Sequence, residues 1–514
     1  MEGLPDVGAV GWVHYRLGGG WKALVVIGVG YMVLAGGAAT LTSQIDTAHW
    51  SDMLKVWTYV CLVLQGLNLL IAGPFRVWLA VMHDGATGML ESHRLMPLRP
   101  WRAIFGYLTG GVAQIWILAL ASLLLQLMMG VGGGLEPLAI LMANLLLLTM
   151  GVLLWTVMVL WAMMARWVSL IVGAVCTMAM FGGGFMLVLI VPGAWMFGGT
   201  LIGSFDLELT GDAMVNLGRA VAVVIECAFT ALFFIAAARK YRHSAAPAFG
   251  PGLGLPMMAL WVAASSVGMI WHQRLLAWRS WDFDRMELRV LIVAGLVSSM
   301  LVALAPVISA ARWAEARAAR RTYEGLRYAS PGGMVTIIVV LLLALTAMPP
   351  VTEDWYKLVG ELPSPWLTWV GAMGITSVVV VSFVATAYWG MRLIIRNGMK
   401  GWPLALGILG MVGLWLLPLF VEAMFGMILR DQWKPTGLIA GISPAGTLAV
   451  VWSVHDGWAT VIAGTAVQAL VAAMISGLGI VLLREKRPRQ GLPVGGPPLA
   501  PPVVRAWADG GAEK

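Results

Sequence analysis

Charge is what this sequence has least of. Only 11% of its 514 residues are Asp, Glu, Lys or Arg, 60% are hydrophobic, and the mean hydropathy is +0.85. Soluble domains carry about 25% charged residues, so a water-soluble globule is excluded. Cysteine is scarce too. Cys61, Cys176 and Cys227 lie far apart, each inside an apolar run, with no metal-ligand spacing and no disulfide framework. They read as small packing residues. The G-x-x-x-x-G-K-[ST] phosphate loop is missing, as are H-E-x-x-H and any other hydrolytic constellation. The glycines of "FGGGFM" (Phe181–Met186) sit in an apolar run without a lysine, which suits close helix packing. Glu2 and Asp6 precede the first run and no short hydrophobic leader is visible, so that run is expected to be retained as a span.

What the chain does have is long apolar runs. A bilayer core of about 30 Å takes about 20 residues of helix, and backbone amides in lipid need partners within their own segment. Continuous apolarity rather than alternation argues against a β-barrel. The expected fold is therefore an all-α polytopic membrane protein with about twelve transmembrane helices. In the first half the runs are Trp21–Leu41, Val56–Phe75, Ala103–Met129, Glu136–Trp161, Trp167–Val191 and Ala213–Ala238. In the second they are Leu255–Trp271, Val290–Ala311, Gly333–Met348, Trp366–Gly390, Trp402–Met427 and Gly457–Leu483. Trp21, Trp161, Trp402 and Trp458 suit interfacial anchoring. With the N-terminus in the cytoplasm, 24 of the 33 Lys and Arg residues fall on the cytoplasmic side. The positive-inside rule then places both termini inside. The +8 net charge is a topology signal that calls for no nucleic acid, and the basic loops can face anionic lipid.

The runs pair across the chain. Their starts match as 21/255, 56/290, 103/333, 136/366, 167/402 and 213/457. Six is even, so two such halves have the same orientation and an axis along the membrane normal. The expected division is a first six-span repeat over 1–243, a Pro/Gly-rich linker over 244–254, a second repeat over 255–485 and a disordered, Pro/Gly-rich cytoplasmic tail over 486–514.

Against this background "DGATGMLESHRLMPLRP" (Asp84–Pro100) stands out as a compact polar segment between two apolar runs. From His83 to Met96 it can be helical. Met82, Ala86, Met89, His93 and Met96 fall on one semi-apolar face, with Asp84, Glu91 and Arg94 elsewhere. Pro97 and Pro100 stop the helix. Such a helix can lie in the interface and offer its charged face to a soluble partner, or serve as a solvated connector.

The segment resembles the membrane component of ABC-2 type transporters, which often carries G-T-L-E-(five residues)-P-L after the second span. Here the matching residues are Gly88, Leu90, Glu91, Pro97 and Leu98, with "GPFRVW" (Gly73–Trp78) upstream and "ISPAGTL" (Ile442–Leu448) before the last span. Met89 and Met96 replace the usual threonines. The second half has only the looser "YEGLRYASPGG", with Glu324, Leu326 and Pro331. The resemblance implies a permease subunit, an exporter, in the cytoplasmic membrane of a prokaryote. It also implies a coupling helix that docks on a separate ATP-binding subunit through Gly88, Leu90, Glu91, Pro97 and, in the second copy, Glu324. ATP would then be used by that partner and not bound by this chain.

Two acids fall inside apolar runs, Glu226 and Glu422. Intramembrane charge is costly and tends to face a cavity or partner, so both are candidates for a translocation pathway; the plainer alternative is a neutral acid bonded to a neighbouring helix. Gln65, Asn68, Gln114, Gln126 and Asn144 read as interhelical hydrogen-bonding residues. Two other functions fit the same pattern: an ion- or proton-coupled secondary transporter, and a non-transporting membrane scaffold.

Overall fold

The computed structural model describes residues 8–45, 49–95, 99–164, 213–243, 249–279, 286–318, 330–346, 365–396, 421, 443–453 and 458–485. It is 94% helical with no strand among the described residues. Among the described residues seven helical stretches are long and apolar enough to cross a membrane: Gly20–Thr42, Trp50–Thr87, Ala113–Gly132, Pro137–Met163, Asn216–Arg242, Val370–Arg396 and Val461–Leu482. The chain thus has the build of a multi-pass helical membrane protein. The run Trp167–Val191, the run Trp402–Met427 apart from residue 421, the residues Pro97, Glu324 and Glu422, the 486–514 tail and residues 244–248 of the linker lie outside the described residues.

In chain order the first part consists of α1 (Gly8–Leu17), α2 (Gly20–Ile45), α3 (Trp50–Leu67), α4 (Gly73–Thr87), α5 (Met89–Leu95), α6 (Pro100–Thr109), α7 (Ala113–Gly132), α8 (Pro137–Met164) and α9 (Ala213–Arg242). The second consists of α10 (Pro251–Arg279), α11 (Met286–Ala318), α12 (Pro331–Thr346), α13 (Pro365–Arg396), α14 (Pro444–Ser453) and α15 (Trp458–Glu485). Two Ser-Pro steps in the second part, Ser330–Pro331 and Ser443–Pro444, start helices with the serine as cap. Ser330 Oγ accepts the Gly333 amide at 3.0 Å at the head of α12, and Ser443 Oγ accepts that of Gly446 at 3.1 Å at the head of α14. Each serine is an N-cap with proline in the first turn, where its missing N–H costs nothing.

The stretch from α3 to α4 corrects the expected second span. It runs 38 residues, Trp50–Thr87, about 57 Å at 1.5 Å per residue, so part of it projects beyond a 30 Å core. Its regular ladder is interrupted by one π-helical turn, Asn68–Ala72, where the Gly73 amide bonds to Asn68 O. Leu69 O is then left without a helical donor, because the next position is Pro74. Trp155 of α8 supplies the donor, its Nε1 lying 2.8 Å from Leu69 O. Gly73 admits the indole; a Cβ there would overlap the Trp155 ring.

The expected third span is also corrected. It is two helices, α6 and α7, separated by Gly110–Val112. α6 packs on α1, where Gly106 and Gly110 meet the backbone of Gly11; a Cβ on Gly110 would collide with it.

Contacts along the helices fix their directions. α2 and α7 are parallel, since Gly28 meets Ile117 and Gly36 meets Leu125. α3 is antiparallel to α7, with Leu54 by Gly132 and Cys61 O accepting from Ser122 Oγ at 3.1 Å. The α3–α4 stretch is parallel to α8, with Gly66 by Leu147, Leu69 by Gly151 and Gly73 by Trp155. α8 is parallel to α9, since Arg219 approaches Ala139 O and Glu226 bonds Thr149. In the second part, α13 is parallel to α15. Ser377 and Ala385 share a groove with Ala469 and Ser476, and Trp389 packs on Gly479 further along both helices. α11 and α13 meet near their C-terminal ends through Arg392 Nε and Glu315 Oε1 at 2.8 Å.

The polar residues expected between helices are largely there. Gln126 Nε2 donates to Gln65 Oε1 at 2.7 Å and to Ser122 Oγ at 3.0 Å, and Asn144 Nδ2 donates to Gln126 Oε1 at 2.8 Å. This buried chain joins α3, α7 and α8, and Tyr31 OH adds α2 at 3.3 Å from Ser122 Oγ. Asn68 departs from the expectation: its amide donates at 3.0 Å to Leu64 O of its own helix. Cys61 is buried as expected, while Cys227 is exposed on the surface of α9.

Candidate functional site

Two places carry the chemistry: the end of the bundle bearing α5, and the α8–α9 interface.

Arg76 donates to Gln114 Oε1, and Gln114 Nε2 donates to Gly18 O at 2.7 Å. Gly18 and Gln114 stand at the entries to two parallel apolar helices, α2 and α7. That level therefore marks an edge of the apolar layer, and the eleven residues of α4 beyond Arg76 extend about 17 Å past it. α4 ends at Gly88, whose φ of +76° is the left-handed closure a glycine permits. α5 then starts in a new direction.

That break corrects the predicted face. A single helix over His83–Met96 would bury Ala86 and Met89; both are exposed. The buried set is Val77, Val81, Asp84, Leu90 and His93. Asp84 is only 2% exposed. Its Oδ2 accepts from Tyr107 OH at 2.6 Å and lies 3.1 Å from His14 Nε2. Burial, then the hydrogen bond to and charge of Asp84, push the Tyr107 hydroxyl pKa up, so the phenol stays a donor. Helices α1, α4 and α6 are thus clasped around one carboxylate. Sequence reading missed this cluster because its members are 14, 84 and 107, and no local pattern links them.

Of the residues matched by the resemblance, Gly88 forms the turn, Leu90 is buried in the cluster with Val81, Tyr107 and Tyr241, and Glu91 is on the surface. The Glu91 side chain is 70% exposed and pairs with Arg94 one turn on. Arg94 Nε also donates to Tyr241 O in the last turn of α9, at 2.8 Å. One face of α5 is therefore tied to the end of α9, while Glu91 points away from the bundle.

At the second place, Glu226 is fully buried. Thr149 Oγ1 donates to its Oε2, and its Oε1 has no protein partner. Arg219, two turns earlier on the same helix, is 1% exposed. Its Nη1 reaches Asn216 Oδ1 at 3.1 Å and Ala139 O at 3.5 Å, while Nε and Nη2 have no partner. Positions 219 and 226 share a face, and both meet α8. The sequence reading singled out the acid and passed over the arginine. No group of three or more His, Cys, Asp or Glu side chains could hold a metal among the described residues.

No family model matches the chain, and neither a curated protein nor a solved structure matches it. The functional reading therefore rests on the two places just described.

Proposed function

We propose that the chain is the membrane-spanning permease subunit of an ABC-type export system, driven by a separate ATP-binding subunit. The observation that carries this reading is the α4–Gly88–α5 unit. It projects beyond the apolar layer, presents Glu91 outward, and is braced behind by Leu90 and by the Arg94–Tyr241 bond to α9. A displacement applied at Glu91 would thus reach α9, the helix that carries Arg219 and Glu226. An exposed acid on a rigid mount suits a charge-assisted contact with a basic group of a soluble partner. On this reading the α5 end is cytoplasmic, the orientation the Lys and Arg distribution favours. The membrane is the inner one of a prokaryote.

The twelve-span, two-repeat architecture belongs to the same proposal. Parallel helices cannot be joined directly across a bilayer, so the chain between α8 and α9 has to recross it if both span. Trp167–Val191 is the apolar run available there. The parallel pair α13 and α15 poses the same requirement, and Trp402–Met427 is the run between them. The pairs α4/α8 and α8/α9 have counterparts in α11/α13 and α13/α15, in the same order and direction. Pro74 and Pro306, each within the second long helix of its half, strengthen the correspondence.

The observation favouring an ion-coupled carrier is the buried Glu226 and Arg219 pair. Purification of the tagged chain with its native associates, followed by photolabelling with azido-ATP, separates the two. The permease reading expects label on a co-purifying chain and not on this one. Transport by this chain alone, abolished by an uncoupler and indifferent to ATP, would establish the carrier instead.

A further inference from the structure

We propose that α1 and α6 together form a binding platform for anionic phospholipid headgroups. Their level follows from the helices they precede. α1 leads through Gly18–Gly19 into α2, α6 leads through Gly110–Val112 into α7, and α2 and α7 are parallel neighbours whose entries are tied by the Gln114–Gly18 bond. Both short helices therefore lie at one edge of the apolar layer, where headgroups are.

Their composition fits that place. Val10, Gly11 and His14 of α1 face Gly106, Tyr107 and Gly110 of α6, which leaves Trp12 and Arg16 on the opposite side of α1. On α6, Trp101 and Phe105 are turned outward in the same way. Trp12 is 51% exposed and Trp21, just beyond the turn, 63%. Indoles of this exposure are unfavourable in bulk water but suited to the headgroup region. Each helix pairs its tryptophan with a cation: the Arg16 guanidinium lies 4.8 Å over the Trp12 ring, and that of Arg102 lies 5.3 Å over Trp101. Lys22 and Arg99 are exposed on the same two segments. Residues 8–23 and 99–113 contain no Asp or Glu. The acid underneath, Asp84, is buried and held by Tyr107 and His14, and Glu91 is paired with Arg94. The exposed surface is thus aromatic and carries positive charge only. Its complement is a phosphodiester head with an acyl glycerol attached, the chemistry of an anionic glycerophospholipid.

The test uses the purified full-length chain in neutral detergent, titrated with dioleoylphosphatidylglycerol, dioleoylphosphatidylcholine or inorganic phosphate. Thermal stability is followed by size-exclusion fluorescence; a ligand of the folded state raises it in proportion to occupancy. Phosphatidylglycerol should stabilise at lower concentration than phosphatidylcholine, with an advantage that shrinks as salt rises. Each basic residue is worth about fivefold in lipid affinity. Arg16→Gln with Lys22→Gln should therefore weaken the phosphatidylglycerol response about 25-fold and leave the phosphatidylcholine response unchanged. Trp12→Leu should weaken both lipids. An unchanged phosphatidylglycerol curve in the double variant, equal responses to the two lipids, or full stabilisation by phosphate alone would each overturn the platform.

Discussion

Replacing Trp155 by Phe probes the physical explanation of the π-helical turn. Trp155 is fully buried, and its Nε1–H is the donor to Leu69 O at 2.8 Å. Phe keeps an aromatic ring against Gly73 and Trp116 but removes that donor. A buried carbonyl left without a partner costs about 1–3 kcal/mol. The smaller ring adds a cavity whose cost is a fraction of the roughly 3–5 kcal/mol for a full Trp→Ala truncation. A loss of about 2–4 kcal/mol is expected, read as a fall of several degrees in the melting temperature of detergent-purified protein. Pro74→Ala restores an N–H at the one position that could serve Leu69 O along the chain. In the double variant the helix can satisfy its own carbonyl, so the double loss should be smaller than the sum of the singles by about 1 kcal/mol or more. That coupling is the double-mutant-cycle signature of a shared partner. Strictly additive losses would refute the account, because Trp155 would then contribute by packing alone.

Other outcomes follow from the same geometry. Asp84→Asn keeps the volume but weakens the acceptor for Tyr107 and His14; it should cost about 1–3 kcal/mol and raise hydrogen exchange in 8–17 and 100–109 together, whereas a change confined to α4 would deny the clasp. Gly110→Ala forces α1 off α6 and should cost about 1–3 kcal/mol, checked by protease sensitivity of the first twenty residues. Arg94→Ala should free α5 from α9, with exchange rising in both 89–95 and the last turn of α9; a rise in α5 alone would mean that the Tyr241 bond transmits nothing. A single cysteine at Ser92, which is exposed, should resist impermeant thiol reagents in intact cells and react after permeabilisation.

The apolar helices were readable because lipid imposes one rule on every backbone amide, and length plus hydropathy suffice to find segments that obey it. Gln65, Gln126 and Asn144 were readable for the same reason: amides that far from water have only other helices to bond. The errors arose where partners come from distant parts of the chain. Asp84 reads as a solvent-facing acid until His14 and Tyr107 are brought to it. Gly88 stands in the sequence only as part of the resemblance, inside an expected continuous helix, yet its left-handed conformation shifts the helical phase and exposes Ala86 and Met89. The break between α6 and α7 is hidden in a run apolar enough to be one span. Arg219 was overlooked because its burial depends on α8 approaching from 80 residues away.

The claim that α5 receives force from a soluble ATPase is tested most directly at Glu91. The measurement is ATP hydrolysis and recovery of the co-purified ATP-binding chain, for the native protein and for Glu91→Ala, normalised to the amount of correctly inserted permease. A charge-assisted hydrogen bond is worth about 1.5–3 kcal/mol. Recovery should therefore fall by about tenfold or more, or hydrolysis should become independent of the permease, while insertion and melting temperature stay near native because the side chain is exposed. Native recovery and native stimulation in the variant would contradict the account and leave α5 a plain connector.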